Sequence, residues 1–166
     1  MGMNDEEGRP PIPVGVAFLL AQLGAHATAR FAERIAELDL TPPQAGLLRM
    51  LAGAPGRSQR ELAGELGMPP SRFVPFADEM EERGLIERRR NPDDRRLYAL
   101  YLTEKGLTLL GGLAEAGMAH EKEMCQALSD DEHRQVKELL ERMAEQQGLS
   151  RGVHPGYRRL KTGRTK

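Results

Sequence analysis

A short charged segment, Asn91-Pro92-Asp93-Asp94-Arg95-Arg96, separates two strand-like runs at 85–90 and 97–102. Asn, Pro and Asp favour turns, so the segment predicts a β-hairpin with a charged tip. An arginine at such a tip can enter a narrow DNA minor groove, where the negative potential is enhanced. A neighbouring carboxylate can hold the guanidinium group in one orientation. The alternative is a solvated hairpin tip with ordinary surface ion pairs.

Two closely spaced helices precede this hairpin. A short helix is predicted at 58–66, a break at 67–70 and a second helix at 71–84. These are the proportions of a helix-turn-helix, in which the second helix enters the DNA major groove and the first braces it. Helix, turn, helix and hairpin together predict a winged helix-turn-helix over 41–102.

One long helix is predicted before this unit, at 14–40. Two helices are predicted after it, within 103–147, and the second begins near Ser129. The helix at 14–40 has an apolar stripe at three- and four-residue spacing, and its length of roughly 25 residues suggests contact with a partner. Helix starts are marked by the capping boxes Thr41–Gln44, Ser58–Glu61 and Ser129–Glu132, and by Thr103. The predicted fold class is therefore mainly α with a small β-wing, a winged helix-turn-helix flanked by long dimerisation helices.

Length and composition limit the classes of protein that fit. A chain of 166 residues suits one domain, here 14–147, with an arm at 1–13 that contains three prolines and is expected to be flexible. The single cysteine excludes an internal disulfide, and no apolar run reaches the ~18 residues of a membrane span. The start of the chain lacks a signal-peptide pattern, so a cytoplasmic protein is expected. No catalytic triad, phosphate loop or closely spaced metal cluster is visible, which argues against an enzyme.

The net charge of −1 hides an uneven distribution. Residues 57–96 carry 9 basic and 9 acidic groups, whereas 103–147 carry 5 basic and 10 acidic groups. Residues 148–166 carry 6 basic groups and no acidic ones, and they predict a disordered basic tail. A neutral total is therefore compatible with a local basic surface for DNA.

Three stretches resemble the winged-helix core of MarR-type (multiple antibiotic resistance) regulators: SQRELAGELGMPPSRF, EMEERGLIERR and NPDDRRLYALYLTEKG. The resemblance extends with the flanking helices over about 14–147. It implies a homodimeric, sequence-specific regulator of transcription, most often a repressor that a small-molecule effector releases from double-stranded DNA. Each protomer would bind one half of a pseudo-palindromic operator, with the two recognition helices about one DNA turn, ~34 Å, apart.

The resemblance also implies roles for individual residues. Asp94 and Arg96 match the wing carboxylate and the minor-groove arginine of the family, with Arg95 as a second wing contact. The other implied DNA contacts are Ser71 and Arg72 on the recognition helix, Gln59 and Arg60 on the helix before it, and Arg88 and Arg90 on the wing strand. Pro75 departs from the family pattern, so either the helix starts nearer Arg72 or its first turn is distorted. Direct base readout is then expected to be sparse.

In the family, small aromatic or anionic effectors bind between the dimer helices and the winged domain. His26, Arg30, Phe18 and Met50 are the candidate effector contacts, although solvent exposure or an ion pair also explains the first two. Cys125 reads as an inert cysteine, with redox sensing as the alternative. His120 and Glu123 share a helix face that excludes Cys125, so no metal site and no cofactor are predicted. The alternative functions are a winged-helix module that binds an acidic protein partner, or a metal- or redox-sensing regulator.

Overall fold

The computed structural model describes residues 14–91, 93–149, 151–152 and 154. The predicted arm at 1–13 and most of the predicted tail at 148–166 lie outside these residues. Within the described residues, no helix combines the length and the apolar character needed to cross a membrane.

Six helices and three short strands make up the described chain, which confirms the predicted fold class. In chain order they are α1 (Val16–Ala36), α2 (Pro42–Gly53), β1 (Arg57–Ser58), α3 (Gln59–Leu66), α4 (Pro70–Glu82), β2 (Ile86–Arg90), β3 (Tyr98–Leu102), α5 (Glu104–Met124) and α6 (Asp130–Gln146). All three predicted capping boxes are present, and the Thr103 hydroxyl accepts the N–H of Gly106 at the start of α5.

The sheet has the antiparallel order β1-β3-β2. The wing hairpin pairs Ile86 with Leu102 at its base and Arg90 with Tyr98 near its tip. Strand β1 was not predicted, because two residues are too few to show a period-2 pattern. It pairs with the middle of β3 and joins the wing to the start of α3.

Two helix starts or ends differ from the predicted ones. The first helix ends at Ala36 rather than near 40, because Asp39 has a positive φ of 55° and the N–H of Leu40 returns to the carbonyl of Ile35. Helix α4 begins at Pro70 and continues through Pro75. Since Pro75 has no N–H, the carbonyl of Ser71 lacks its usual helical donor.

The hydrophobic core lies in the winged half of the molecule. Its fully buried side chains come from α1 to α4 and the sheet: Ile35, Leu47, Leu48, Leu51, Leu62, Leu66, Phe73, Met80, Leu85, Ile86 and Leu100. Gly106 brings α5 onto this core, since a Cβ there would lie 2.1 Å from the carbonyl oxygen of Leu85. By contrast, no residue of α6 is buried. The winged unit can thus be rigid within one chain, whereas α6 has its apolar side uncovered.

Candidate nucleic-acid interface and adjoining cavity

The recognition helix α4 has one face in the core and one in solvent. Phe73, Ala77 and Met80 recur at four- and three-residue spacing and anchor the helix. Ser71 is exposed and Arg72 is half-buried at the opposite side of the first turn, and Val74 and Pro75 extend that outer face. Val74 is 43% exposed. The outer face is therefore partly apolar, which suits contact with thymine methyl groups more than a dense set of base hydrogen bonds.

Helix α3 and its turn hold α4 in place. The Ser58 hydroxyl accepts the Glu61 N–H, and the Glu61 carboxylate accepts the Ser58 N–H at 2.9 Å. The Glu61 carboxylate also accepts the Ser58 hydroxyl, and the hydrogen bonds from the Ser58 N–H and hydroxyl hold the pKa of Glu61 below its ordinary value. Gly67 closes α3 in the left-handed conformation with φ 64°. The helix start thus presents Arg60 to solvent.

The wing tip is organised by backbone contacts. Asp94 Oδ1 accepts the backbone N–H of Arg96 at 3.0 Å, and Asn91 Oδ1 accepts that of Asp93 at 2.9 Å. Asp94 therefore shapes the turn, and in the described chain it does not bind a guanidinium group as the sequence analysis had suggested. Both Arg95 and Arg96 are exposed. The tip presents two arginine side chains from a defined turn.

Arg88 connects the wing to both helices. Its guanidinium group donates to Asp78 at 2.7 Å and to Glu81 at 2.6 Å, and its Nε donates to Gln59 Oε1 at 3.0 Å. Its side chain is only 14% exposed. These contacts engage Arg88 and Gln59 inside the protein, which favours a positioning role over the DNA contact implied by the resemblance. Arg90, two residues along the same strand face, is exposed.

Five arginines of this surface are uncommitted. Among the described residues, none of them has a side-chain ion pair or hydrogen bond: Arg60, Arg72, Arg90, Arg95 and Arg96. Other arginines of the winged unit are engaged, such as Arg57 with Glu65 and Arg89 with Glu87. The structure thus separates the arginines into a paired structural set and a free set on α3, α4 and the wing.

A cavity of about 1400 Å³ lies beside the winged unit, between α1, α2 and α5. Its walls are mainly apolar and include Phe31 and Met118. The ring of His120 lies 5.4 Å from that of Phe31, and its Nδ1 is buried without a hydrogen-bond partner in the described chain. Arg49 reaches the cavity from α2 and donates to the carbonyl of Gly152 at 3.1 Å. An aromatic molecule with an acidic group would find a complementary surface here.

The four candidate effector residues lie elsewhere. His26 and Phe18 are exposed on α1, and Arg30 donates to Glu33 and Glu123. Met50 lines a small cavity of about 40 Å³ beside the large one. Sequence reasoning missed Arg49 and His120, because their joint placement depends on how α2 and α5 pack. The ion pairs of Arg30 agree with the alternative explanation for this residue, in which it pairs with a carboxylate of the protein instead of an effector.

Ion pairs also join α1 to α5. Glu123 accepts from both Arg30, at 3.0 Å, and Arg34. The hydrogen bond from Arg30 is the main reason that the pKa of Glu123 lies below its ordinary value, and it raises that of Arg30 in return. Glu123 therefore links α1 to α5 through ion pairs. These ion pairs compete with the role of metal ligand that was considered for it together with His120.

Cys125 lies at the C-terminal end of α5. Burial, with a smaller effect of Glu121, raises the pKa of its thiol. A raised pKa leaves little thiolate, the reactive species, which disfavours the redox-sensing alternative. The structure instead brings Cys125 together with Glu121 and His133, a combination that sequence spacing did not indicate because His133 lies on another helix.

Large apolar side chains remain exposed on the helices outside the core. They are Val16, Phe18, Leu19 and Leu23 on α1, Leu107 and Met118 on α5, and Val136, Leu139, Leu140 and Met143 on α6. Many large apolar side chains exposed on the same few helices are typical of a protein–protein interface. It matches the helices that the sequence analysis assigned to dimerisation.

Comparison with known proteins gives one consistent family. A profile described as MarR family matches residues 38–97. A putative transcriptional regulatory protein for the hcr operon of Thauera aromatica is 33% identical over 136 residues, which cover 77% of this chain and 82% of the relative.

Solved structures agree with this relationship. The transcriptional repressor CouR bound to a 23-mer DNA duplex superposes with a TM-score of 0.70 at 32% identity, covering 78% of this chain and 92% of that one. A MarR family protein of Mycobacterium tuberculosis in complex with salicylic acid gives a TM-score of 0.65 at 25% identity, covering 79% and 97%.

Proposed function

This chain belongs to the MarR family of transcriptional regulators, and on that basis we propose that it is a homodimeric repressor that binds a pseudo-palindromic DNA duplex and is released by a small aromatic anion. The DNA-binding part of the proposal rests on the arginines of α3, α4 and the wing. The guanidinium groups on α3, α4 and the wing that have no partner among the described residues are available to phosphates and groove edges, whereas Arg88 is engaged inside the protein.

Each DNA-contacting element has its own task in this proposal. Arg60 at the start of α3 contacts a phosphate, and Ser71 and Arg72 approach base edges in the major groove. Arg95 and Arg96 reach the adjacent minor groove, where shape and potential supply part of the specificity. The apolar faces of α1, α5 and α6 form the two-fold interface that fixes the separation of the two half-sites.

Selection of bound duplexes from a random pool tests the DNA part. We expect an inverted repeat with half-site centres about 10 base pairs apart, as one recognition helix per protomer requires. The Arg96→Ala variant should bind the selected duplex at least about tenfold more weakly, because one bidentate or groove contact contributes ~1–3 kcal/mol. No enrichment over the random pool, or unchanged binding by Arg96→Ala, would contradict the assignment.

The effector-binding part of the proposal rests on the large cavity between α1, α2 and α5. We infer that the carboxylate of an aromatic acid binds Arg49, while its ring lies against Phe31 and His120. Because this cavity lies between the dimer helices and the winged unit, occupancy changes the position of the wings relative to the two-fold interface. The effector binds the arrangement of the wings that does not fit DNA more tightly than the arrangement that does. At saturating effector, the affinity for DNA falls by the ratio of these two effector affinities.

Salicylate is a suitable probe for this cavity. We expect it to release the wild-type protein from a labelled duplex, and Arg49→Gln to raise the required concentration about tenfold, since a charge-assisted hydrogen bond contributes ~1.5–3 kcal/mol. The exposed His26→Gln variant is the matched control on α1. Equal release of wild type and Arg49→Gln would contradict the position of the site.

A further inference from the structure

Glu121, Cys125 and His133 bring three different ligand types to one point. Their ligand atoms all lie within 4.8 Å of one another. Glu121 and Cys125 are four residues apart and so share a face of the α5 end, and His133 faces them from the first turns of α6. The Nε2 atom of His133 is 2.7 Å from Glu121 Oε1, and Cys125 Sγ is 4.0 Å from the same oxygen.

We propose that these three residues form a binding site for a zinc-class divalent ion at the junction of α5 and α6. Thiolate, imidazole and carboxylate are together the ligand set of Zn²⁺, and three protein ligands leave a fourth tetrahedral position for water. Hard ions such as Mg²⁺ and Ca²⁺ prefer oxygen ligands alone, so the thiolate and imidazole select against them.

The spacing of the three atoms fits this ion after small side-chain movements. Zinc–ligand bonds of about 2.0–2.3 Å in a tetrahedral site place neighbouring ligand atoms about 3.4–3.6 Å apart. The histidine–carboxylate distance of 2.7 Å must therefore lengthen, and the thiol–carboxylate distance of 4.0 Å must shorten slightly. Both changes are within the reach of exposed or half-buried side chains.

The site is also accessible from solvent. Glu121 is exposed, and Cys125 and His133 are half-buried, so an ion can enter from solvent. All three residues also line the large cavity. Binding displaces the thiol proton of Cys125 to solvent, because the thiolate is the form that binds the ion.

The ion would join two helices that are otherwise loosely connected within one chain. None of the α6 residues is buried, and its link to α5 runs through the short segment at 125–129 and the Glu121–His133 contact. Coordination by residues from both sides of this segment would hold α6 at one angle to α5. Amide hydrogen exchange in the segment and the first turn of α6 should therefore slow when the ion binds.

The experiment uses the full, untagged chain without DNA, so that its failure leaves the proposed DNA function standing. Co²⁺ replaces Zn²⁺ as a spectroscopic probe, and a thiolate-to-cobalt charge-transfer band reports a bond to the only cysteine. We expect one Co²⁺ per protomer with this band, and displacement of Co²⁺ by a stoichiometric amount of Zn²⁺. Calorimetric titration with Zn²⁺ gives the affinity.

Four variants separate this site from general histidine binding. Cys125→Ser should abolish the band, and Cys125→Ser and His133→Gln should each weaken Zn²⁺ binding at least about tenfold. His26→Gln removes an exposed histidine of α1 that does not belong to the cluster, and it should leave both measurements unchanged. Circular dichroism checks that each variant is folded, and Glu121→Gln provides an independent third ligand change.

Opposite results overturn the proposal in either of two ways. The first is a wild-type protein that shows no charge-transfer band and binds Zn²⁺ no more tightly than Cys125→Ser. The second is a His26→Gln variant that loses as much affinity as His133→Gln, since binding would then depend on histidine content alone. Unchanged hydrogen exchange at 125–133 on Zn²⁺ binding would likewise exclude the bridging of α5 and α6.

Discussion

Replacing the two wing-tip arginines should change how steeply DNA binding depends on salt. Within the part of the chain that the structure describes, each protomer has five arginines on the proposed surface without a side-chain partner, so a dimer has ten. If each neutralises one phosphate, the slope of log K against log salt is about −9. The double variant Arg95→Gln/Arg96→Gln removes four of the ten charges and should reduce the slope to about −5.4. The loss of affinity between 50 and 200 mM salt should fall from about 10⁵-fold to about 10³-fold.

Arg88→Gln is the matched control for this measurement. It removes one arginine from the same hairpin, yet that guanidinium group is bound to Asp78 and Glu81 and is 14% exposed. The salt slope should therefore remain near the wild-type value. The free energy of unfolding should fall instead, by about 1–3 kcal/mol, because charge-assisted hydrogen bonds between the wing and α4 are lost.

Fluorescence anisotropy with one labelled duplex, titrated at five or more salt concentrations, gives the slopes, and urea unfolding gives the stabilities. The reasoning is refuted if the wing double variant keeps the wild-type slope while Arg88→Gln reduces it. That result would mean that the paired arginine, and not the free ones, contacts phosphate.

Three further predictions concern stability. Gly106→Ala should destabilise the protein by about 1–3 kcal/mol, because the new methyl group would overlap the Leu85 carbonyl and push α5 from the core; urea unfolding tests this, and a neutral effect would contradict the packing. Ser58→Ala should cost about 1 kcal/mol through the lost N-cap of α3, measured in the same way, and a change within error would show that the cap is dispensable. The hydrogen bond from Arg57 holds the pKa of Glu65 below its ordinary value of 4.5, so the stability from this pair is complete above pH 4.5 and is lost as the pH falls through the lower folded value. Acid titration of Arg57→Gln should show a smaller loss over that window than wild type, and an identical curve would exclude the pair as a cause.

The sequence determined those features that depend on local patterns. Helix starts followed from capping boxes, because Ser or Thr and a carboxylate or amide three residues later satisfy amide groups within one turn. The wing followed from a turn-rich segment between two strand-like runs, and its specific residues carried the family resemblance. Even the uneven charge was visible, although the net charge of −1 alone would have argued against DNA.

Only the tertiary structure decided which side chains of these elements are free. Arg88 and Arg90 share one strand face, yet only Arg88 lies within reach of Asp78 and Glu81 on α4. Arg49 and His120 line one cavity from separate helices, and Cys125 and His133, also on separate helices, have ligand atoms within 4.8 Å of each other. Distances between helices depend on the packing of the whole core, which no local spacing along the chain encodes. Sequence therefore identified the elements and their candidate residues, and the three-dimensional packing assigned each residue its partner.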